Sequence, residues 1–133
     1  MTMKHPSFVT PASQILNEIR QLISDAQKYE QVVQRSIAQG KTLDPIQMYN
    51  QMIIGVEHCL NTLREQKASL EEEYNRIKDE NKNDHRLDVL NSATTEIQNE
   101  VEKISSFDAE LKEKLFLLVK KNMPNHRNDV SSG

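Results

Sequence analysis

The chain has 133 residues, enough for one domain, with 17 Lys and Arg against 20 Asp and Glu and a formal net charge of −3. This balance gives no electrostatic reason to bind nucleic acid, since proteins that do so usually carry a basic face. Only three Gly and four Pro are present, whereas a sheet protein needs a turn every ~8–12 residues. The composition therefore excludes an all-β fold and favours long helices.

The first predicted helix covers residues 11–39. Thr10 and Pro11 form a start signal, with Thr10 as the N-cap and Pro11 at the first helical position, and Gly40 is the expected stop. Apolar residues recur at steps of three and four, which is the spacing of a coiled-coil seam, and others widen that seam into a face broad enough for two neighbours. The predicted seam is Ile15, Ile19, Leu22, Ala26, Tyr29 and Val33, widened by Leu16, Ile23, Val32 and Ile37.

The second predicted helix covers residues 44–81. Asp44 as the cap with Pro45 in the first turn is the simplest start, and Thr42 as the cap is nearly as good. The apolar steps alternate between three and four along the whole helix, and Lys67 is the one charged residue among them. The predicted seam is Ile46, Tyr49, Ile53, Val56, Leu60, Leu63, Lys67, Leu70, Tyr74 and Ile77.

The third predicted helix covers residues 84–122, capped by Asn83 or Asp84. No Gly or Pro marks the turn before it, so one continuous helix is the alternative. The seam phase breaks at this turn, however, and the break favours a hairpin. Thr94 and Asp108 are the polar members of a seam that consists of Leu87, Leu90, Thr94, Ile97, Val101, Ile104, Asp108, Leu111, Leu115 and Leu118.

These elements predict an all-α fold, an antiparallel three-helix bundle with heptad packing over residues 10–122. The first helix is the shortest, so the charged hairpin tip at residues 71–91 should protrude beyond it. Residues 1–9 are expected to form an N-terminal extension. Residues 123–133 have low hydrophobicity and are expected to form a disordered tail.

The reactive side chains form no pattern that indicates catalysis. None of the four His lies three or four residues from another His or from Cys59, the single cysteine, so we expect no metal site and no cofactor. Cys59 is expected to be a buried small hydrophobe rather than a nucleophile. Asp108 lies level with His58 and could bond to it, but we favour both side chains at the edge of the bundle, in water.

Charged side chains are expected to pair along the helices. Glu72 precedes Arg76 by four residues and Glu110 precedes Lys114 by four, the favourable order for pairs on a solvated face. Such pairs contribute only a few tenths of a kcal/mol each. They therefore indicate solvent exposure rather than a catalytic acid and base.

The main anomaly is the run of five apolar residues at 115–119, which covers every side of a helix although a bundle buries only part of it. Apolar residues gather at this end of the bundle. They form either a core end closed by Phe8 and Val9 or a patch for a partner helix, with Met adding adaptability. The residues predicted to bind the partner are Phe107, Phe116, Leu117, Val119, Met48 and Met52.

The sequence thus predicts a non-catalytic interaction module, an adaptor, chaperone or scaffold subunit that binds a helical protein partner. The alternative is a self-associating structural coiled-coil protein in which the second and third helices pair between copies. A single cysteine and no apolar leader lead us to expect an intracellular, cytoplasmic or nuclear location, with no membrane span.

Overall fold

A computed structural model describes residues 9–41 and 44–122. These residues form three helices and no strand: α1 (Val9–Ala38), α2 (Pro45–Glu80) and α3 (Arg86–Asn122). Each helix packs against the other two, and the interface between α2 and α3 is the most extensive. The fold is an all-α three-helix bundle, as predicted. The expected tail at 123–133, residues 1–8 of the expected extension and the alternative cap Thr42 lie outside the described residues.

The start of α1 differs from the prediction, whereas its end agrees. The helix begins at Val9, so Thr10 lies inside it and is not the N-cap. Pro11 is tolerated there because first-turn N–H groups have no partner within a helix. At the other end Gly40 adopts a left-handed φ of 71°. The Gly40 N–H donates to the Ile37 carbonyl at 3.0 Å, which is the glycine stop that the sequence indicates.

Side-chain hydrogen bonds cap the start of α2 and the start of α3. The Asp44 carboxylate accepts a hydrogen bond from the Gln47 N–H at 3.0 Å, with Pro45 at the first helical position. At the turn, the Asp84 carboxylate accepts from the side chain of Arg86 and from its backbone N–H at 2.9 Å. The guanidinium bonds lower the pKa of Asp84 to about 2. The chain therefore reverses between α2 and α3, and one continuous helix is excluded.

The predicted seams of α2 and α3 meet and form the core. Even near the tip, Ile77 and Leu90 are completely buried. By length the described part of α1 spans about 45 Å and α2 about 54 Å, so α1 is shorter than the hairpin helices against which it packs. The core is aliphatic, as the low aromatic content requires, and its most deeply buried aliphatic side chains are Val56, Leu63, Ile77, Leu90, Ile97, Ile104 and Leu111.

Ion pairs at the tip differ from the expected pattern. Arg76 pairs with Glu73 and Glu80 rather than with Glu72. All three partners lie within one helical turn of Arg76, so the choice among them depends on side-chain rotamers that the spacing does not encode. These pairs remain on the solvated surface of the hairpin.

The predicted seam of α1 is partly wrong. Ile19 and Val33 are buried as expected, but Leu22 and Tyr29 are 56% and 46% exposed, and Val32 is 47% exposed. The core instead contains Leu16 and Ile23, two of the residues predicted to widen the seam. This is because α1 lies in the groove between α2 and α3, and its buried face is centred between them. The buried apolar residues of α1 are Ala12, Leu16, Ile19, Ile23 and Val33.

Gly55→Ala is expected to raise the free energy of unfolding by about 0.5–1 kcal/mol, because glycine weakens a helix interior. Gly55 lies within α2, and a Cβ added there meets no atom within 4 Å. Urea denaturation measures the change. Gly40→Ala is the matched control and should lower stability by about 1 kcal/mol, since its φ is left-handed. A destabilised Gly55→Ala protein would contradict the open space beside Gly55.

Candidate functional site

A buried carboxylate joins the three helices at the end where α1 and α3 finish. The Glu30 carboxylate of α1 accepts hydrogen bonds from the Tyr49 hydroxyl of α2 at 2.8 Å and from Lys114 Nζ of α3 at 2.7 Å. Gln34 Nε2 donates to the same oxygen at 2.6 Å. A buried charge is tolerated only when it is paired and hydrogen-bonded in this way. This group holds α1 in register with both neighbours.

Sequence reasoning missed this cluster, although a signal for it is present. Glu30 lies seven residues after Ile23 and three before Val33, which places it on the buried face of α1. Lys114 was expected to pair with Glu110, but it crosses to Glu30. Burial, and then the hydrogen bond and charge of Glu30, raise the pKa of Tyr49 to about 12. Tyr49 is therefore a neutral hydrogen-bond donor near neutral pH.

The apolar run of α3 emerges from the core beside this cluster. Phe116 is 62% exposed and Leu117 is 53% exposed, and Val119 is also exposed. We call these three residues the C-terminal patch. Successive helical residues point about 100° apart, so Leu117 and Val119 lie on opposite flanks of α3 and Phe116 lies between them on the outer side. Leu117 borders a shallow groove between α1 and α3 whose other lining residues are Gln34, Ile37, Tyr49, Lys114, Leu118 and Lys121.

The other residues predicted to bind a partner are less accessible. Phe107 and Met52 are buried in the core, and Met48 is half-buried against it. The prediction of an exposed surface is wrong for Phe107 and Met52, because α3 and α2 each face two helices and bury a wider arc than one seam. Of the residues predicted to bind a partner, Phe116, Leu117 and Val119 are the exposed ones.

Val9, the first described residue, lies at the opposite end of the bundle from the apolar run. Arg20 of α1 pairs with Glu96 and Glu100 of α3, and Glu30 pairs with Lys114 further along. The helices α1 and α3 therefore run in the same direction. Val9 begins α1 about 30 Å of helix before Glu30, and Phe8 lies outside the described residues. The alternative in which Val9 covers the apolar run is wrong.

Asp108 is buried, contrary to the expectation that it reaches water. It is 6% exposed, and its Oδ2 pairs with Lys112 at 2.9 Å. Lys112 also pairs with Glu57, whose hydrogen bond raises the pKa of that lysine. Asp108 Oδ1 is the one buried side-chain oxygen or nitrogen without a hydrogen-bond partner among the residues described. His58 is exposed and is not the partner of Asp108.

The remaining polar seam residues lie at the margin of the core. Lys67 is partly exposed and pairs with Glu71 at 3.1 Å. Thr94 is half-buried, and its hydroxyl donates to the Asn91 carbonyl at 3.0 Å, within its own helix. Both side chains satisfy their polar atoms locally, so neither joins a site with another helix.

The chemistry of these groups is that of a structural framework. Cys59 is buried, and burial raises the pKa of its thiol, which disfavours the reactive thiolate. Across residues 9–41 and 44–122, no group of three His, Cys, Asp or Glu is placed to hold a metal ion. No helix in the same ranges is long and apolar enough to cross a membrane.

Comparison of the chain with protein-family models, with curated proteins and with solved structures finds no match. The surfaces of the bundle itself therefore indicate where a function could reside. The C-terminal patch and the groove beside it are the candidate site, because they combine exposed apolar side chains with a rigid, three-helix support.

Tyr49 is expected to ionise only at high pH, and the folded state loses stability as it does so. Because the folded pKa is raised from 10.0 to about 12, its contribution is fully present below pH 10 and is lost as pH rises toward 12. Tyrosinate absorbance and helicity, measured together, follow the change. Tyr49→Phe should remove the last absorbance step. If the absorbance titration of Tyr49→Phe keeps the step at the highest pH and lacks one at lower pH, the burial of the Tyr49 hydroxyl against Glu30 is contradicted.

Asp108→Leu is expected to raise the free energy of unfolding by about 1 kcal/mol, because it removes a buried oxygen that has no partner. Lys112 keeps Glu57 as its partner in this variant. Asp108→Asn is the control, since it retains a polar group at the same place and should not stabilise. Thermal denaturation compares the two variants. Loss of stability in Asp108→Leu alone would show that the carboxylate itself is required.

Proposed function

We propose that this chain is a non-catalytic protein–protein interaction module, and that the C-terminal patch binds a helical partner. The observation that carries the proposal is the exposure of Phe116 and Leu117 on a helix whose seam is otherwise buried. Apolar side chains that cluster on a surface mark interaction sites more often than scattered ones do. An adaptor, chaperone or scaffold subunit uses a surface of this kind.

The shape of the groove supports a helix as the partner. Ile37 and Leu118 line it, and Leu117 and Tyr49 contribute further apolar and aromatic surface. A shallow groove of this kind suits the apolar face of an amphipathic helix, whose anchors recur every three or four residues. Lys114 and Lys121 also line the groove. Lys114 is already paired with Glu30, so Lys121 is the cation that favours a carboxylate beside the apolar face of a partner helix.

The polar groups beside the groove favour binding over catalysis. Lys114 and Tyr49 are both bonded to Glu30, and the raised pKa keeps the Tyr49 hydroxyl protonated near neutral pH, so it is not available to accept a proton. We propose an intracellular location, in the cytoplasm or the nucleus, in which the single thiol stays reduced.

Self-association through the α2 and α3 seams is the less favoured alternative. The side chains of those seams, such as Leu63 and Ile104, are already buried within one chain. A second copy could reach them only if the bundle opened. The buried seams therefore favour an exposed surface as the place for any partner.

Phe116→Glu is expected to weaken binding of the partner by about tenfold or more, because a carboxylate in an apolar contact must lose its water. Val119→Glu tests the part of the C-terminal patch that lies beside Phe116 and away from the groove. Complexes isolated with the tagged chain are compared by quantitative mass spectrometry, and a photo-crosslinker at residue 117 identifies proteins in direct contact. Helicity by circular dichroism should be unchanged, since both side chains are exposed.

Ile54→Glu is the matched control. Ile54 is an exposed apolar residue of α2 that lies outside the C-terminal patch, so the partner should be retained in this variant. Equal recovery of every associated protein with the original chain and with Phe116→Glu would contradict the proposal. Loss of helicity in Phe116→Glu would also contradict it, because Phe116 would then belong to the core.

A further inference from the structure

The wall of the groove that α3 provides continues along one side of that helix. Glu110, Lys114, Leu117 and Lys121 follow one another at steps of four, three and four residues, so they lie along a single side of α3. Lys114, Leu117 and Lys121 line the groove, and Glu110 lies one turn further from the end of the helix. A helix bound in the groove would therefore contact this row of side chains.

The two end members of the row carry opposite charges. Glu110 and Lys121 are exposed, and neither forms an ion pair among the residues that the structure describes. Lys114 lies between them, but its ammonium group is bonded to Glu30. A carboxylate and an ammonium group thus mark the two ends of the row, about 17 Å apart along the helix axis, and the apolar Leu117 lies between them.

The end of α1 adds a second cation near Lys121. Arg35 lies in the last turn of α1 and is exposed. Because Glu30 bonds to Lys114 and the two helices run in the same direction, Arg35 is level with residue 119 of α3. The groove is therefore basic at the end where α1 and α3 finish, and acidic three turns earlier at Glu110.

Charge and helix dipoles favour the same direction for a bound helix. Groups that face Lys121 and Glu110 are eleven residues apart on a straight partner helix, which is three turns on one face. Helices favour carboxylates in the first turn and cations in the last turn, so the first turn of the partner should lie beside Lys121. That direction is antiparallel to α1 and α3, and it places the N–H end of the partner near their carbonyl ends.

We propose that the helix bound in the groove carries a carboxylate in its first turn, against Lys121, and a Lys or Arg eleven residues later, against Glu110. It runs antiparallel to α1 and α3, and its apolar residues contact Leu117 and Ile37. This inference rests on the function proposed above, because it specifies the partner of the groove beside the C-terminal patch. The charges set the direction and the salt dependence of binding, whereas the apolar contacts supply most of the affinity.

Selection from a displayed library of helical peptides, with the full chain as the target, tests the proposal. The library fixes leucines on one face and varies Glu, Gln and Lys at a first-turn position and at the position eleven residues later. Peptides enriched on the original chain should carry Glu first and Lys second. On Lys121→Glu, which makes both ends of the row acidic, the enriched peptides should carry Lys at both positions.

An enriched peptide is then labelled, and its dissociation constant is measured by fluorescence anisotropy. Lys121→Glu should raise this constant about threefold to tenfold at low ionic strength, and less at high ionic strength. Lys120→Glu is the matched control with the same change of charge, and it should have little effect because Lys120 points about 100° away from Lys121. A photo-crosslinker at the first residue of the peptide should label α3 near Lys121 rather than near Glu110.

Leu117→Gln separates a failure of this inference from a failure of the proposed function. Peptides that lose binding in Leu117→Gln but show no charge preference, or that crosslink in the opposite direction, would overturn the inference and leave the groove as a site for a helix. Equal effects of Lys121→Glu and Lys120→Glu would overturn it in the same way. If no peptide that depends on Leu117 is enriched, both the inference and a helical partner in the groove are contradicted. Circular dichroism of each variant checks that the bundle stays folded.

Discussion

The position of α1 depends on one carboxylate. The helices α2 and α3 are joined by a short turn and a long aliphatic seam, whereas α1 is the shortest helix and makes the smaller interfaces. Glu30 bonds to Tyr49 on one neighbour and to Lys114 on the other. Directional bonds of this kind fix the rotation and the axial position of a helix, which apolar contact alone leaves less defined.

That fixed rotation determines which surfaces stay exposed. With Glu30 turned inward, Ile23 and Val33 are buried beside it, and Leu22 and Tyr29 are turned outward. The same cluster supports the groove beside Leu117, since Tyr49 and Lys114 line it. The same cluster therefore supports the exposed apolar residues of α1 and the C-terminal patch of α3.

The sequence predicts the regular parts of this structure and fails where three helices meet. The strict phases of α2 and α3, the Asp44 cap and the Gly40 stop follow from local rules that need no knowledge of neighbours. The buried face of α1 does not follow from such rules, because its apolar residues occupy a wider arc of the helix than its two neighbours bury. Periodicity of apolar residues also ignores Glu30, the one charged residue of α1 at a fully core-facing position. For the same reason the exposed Phe116 and the buried Phe107 could not be told apart.

The buried thiol of Cys59 has a kinetic consequence. It is the single cysteine of the chain, it belongs to α2 and is buried in the core of the bundle, and burial raises the pKa of its thiol. A thiol reagent therefore reacts with it only in molecules whose bundle has opened. The chain thus carries its own probe of native-state opening, which needs no introduced label. The rate of modification reports how often the bundle opens around this residue, and any ligand that holds the three helices together slows it.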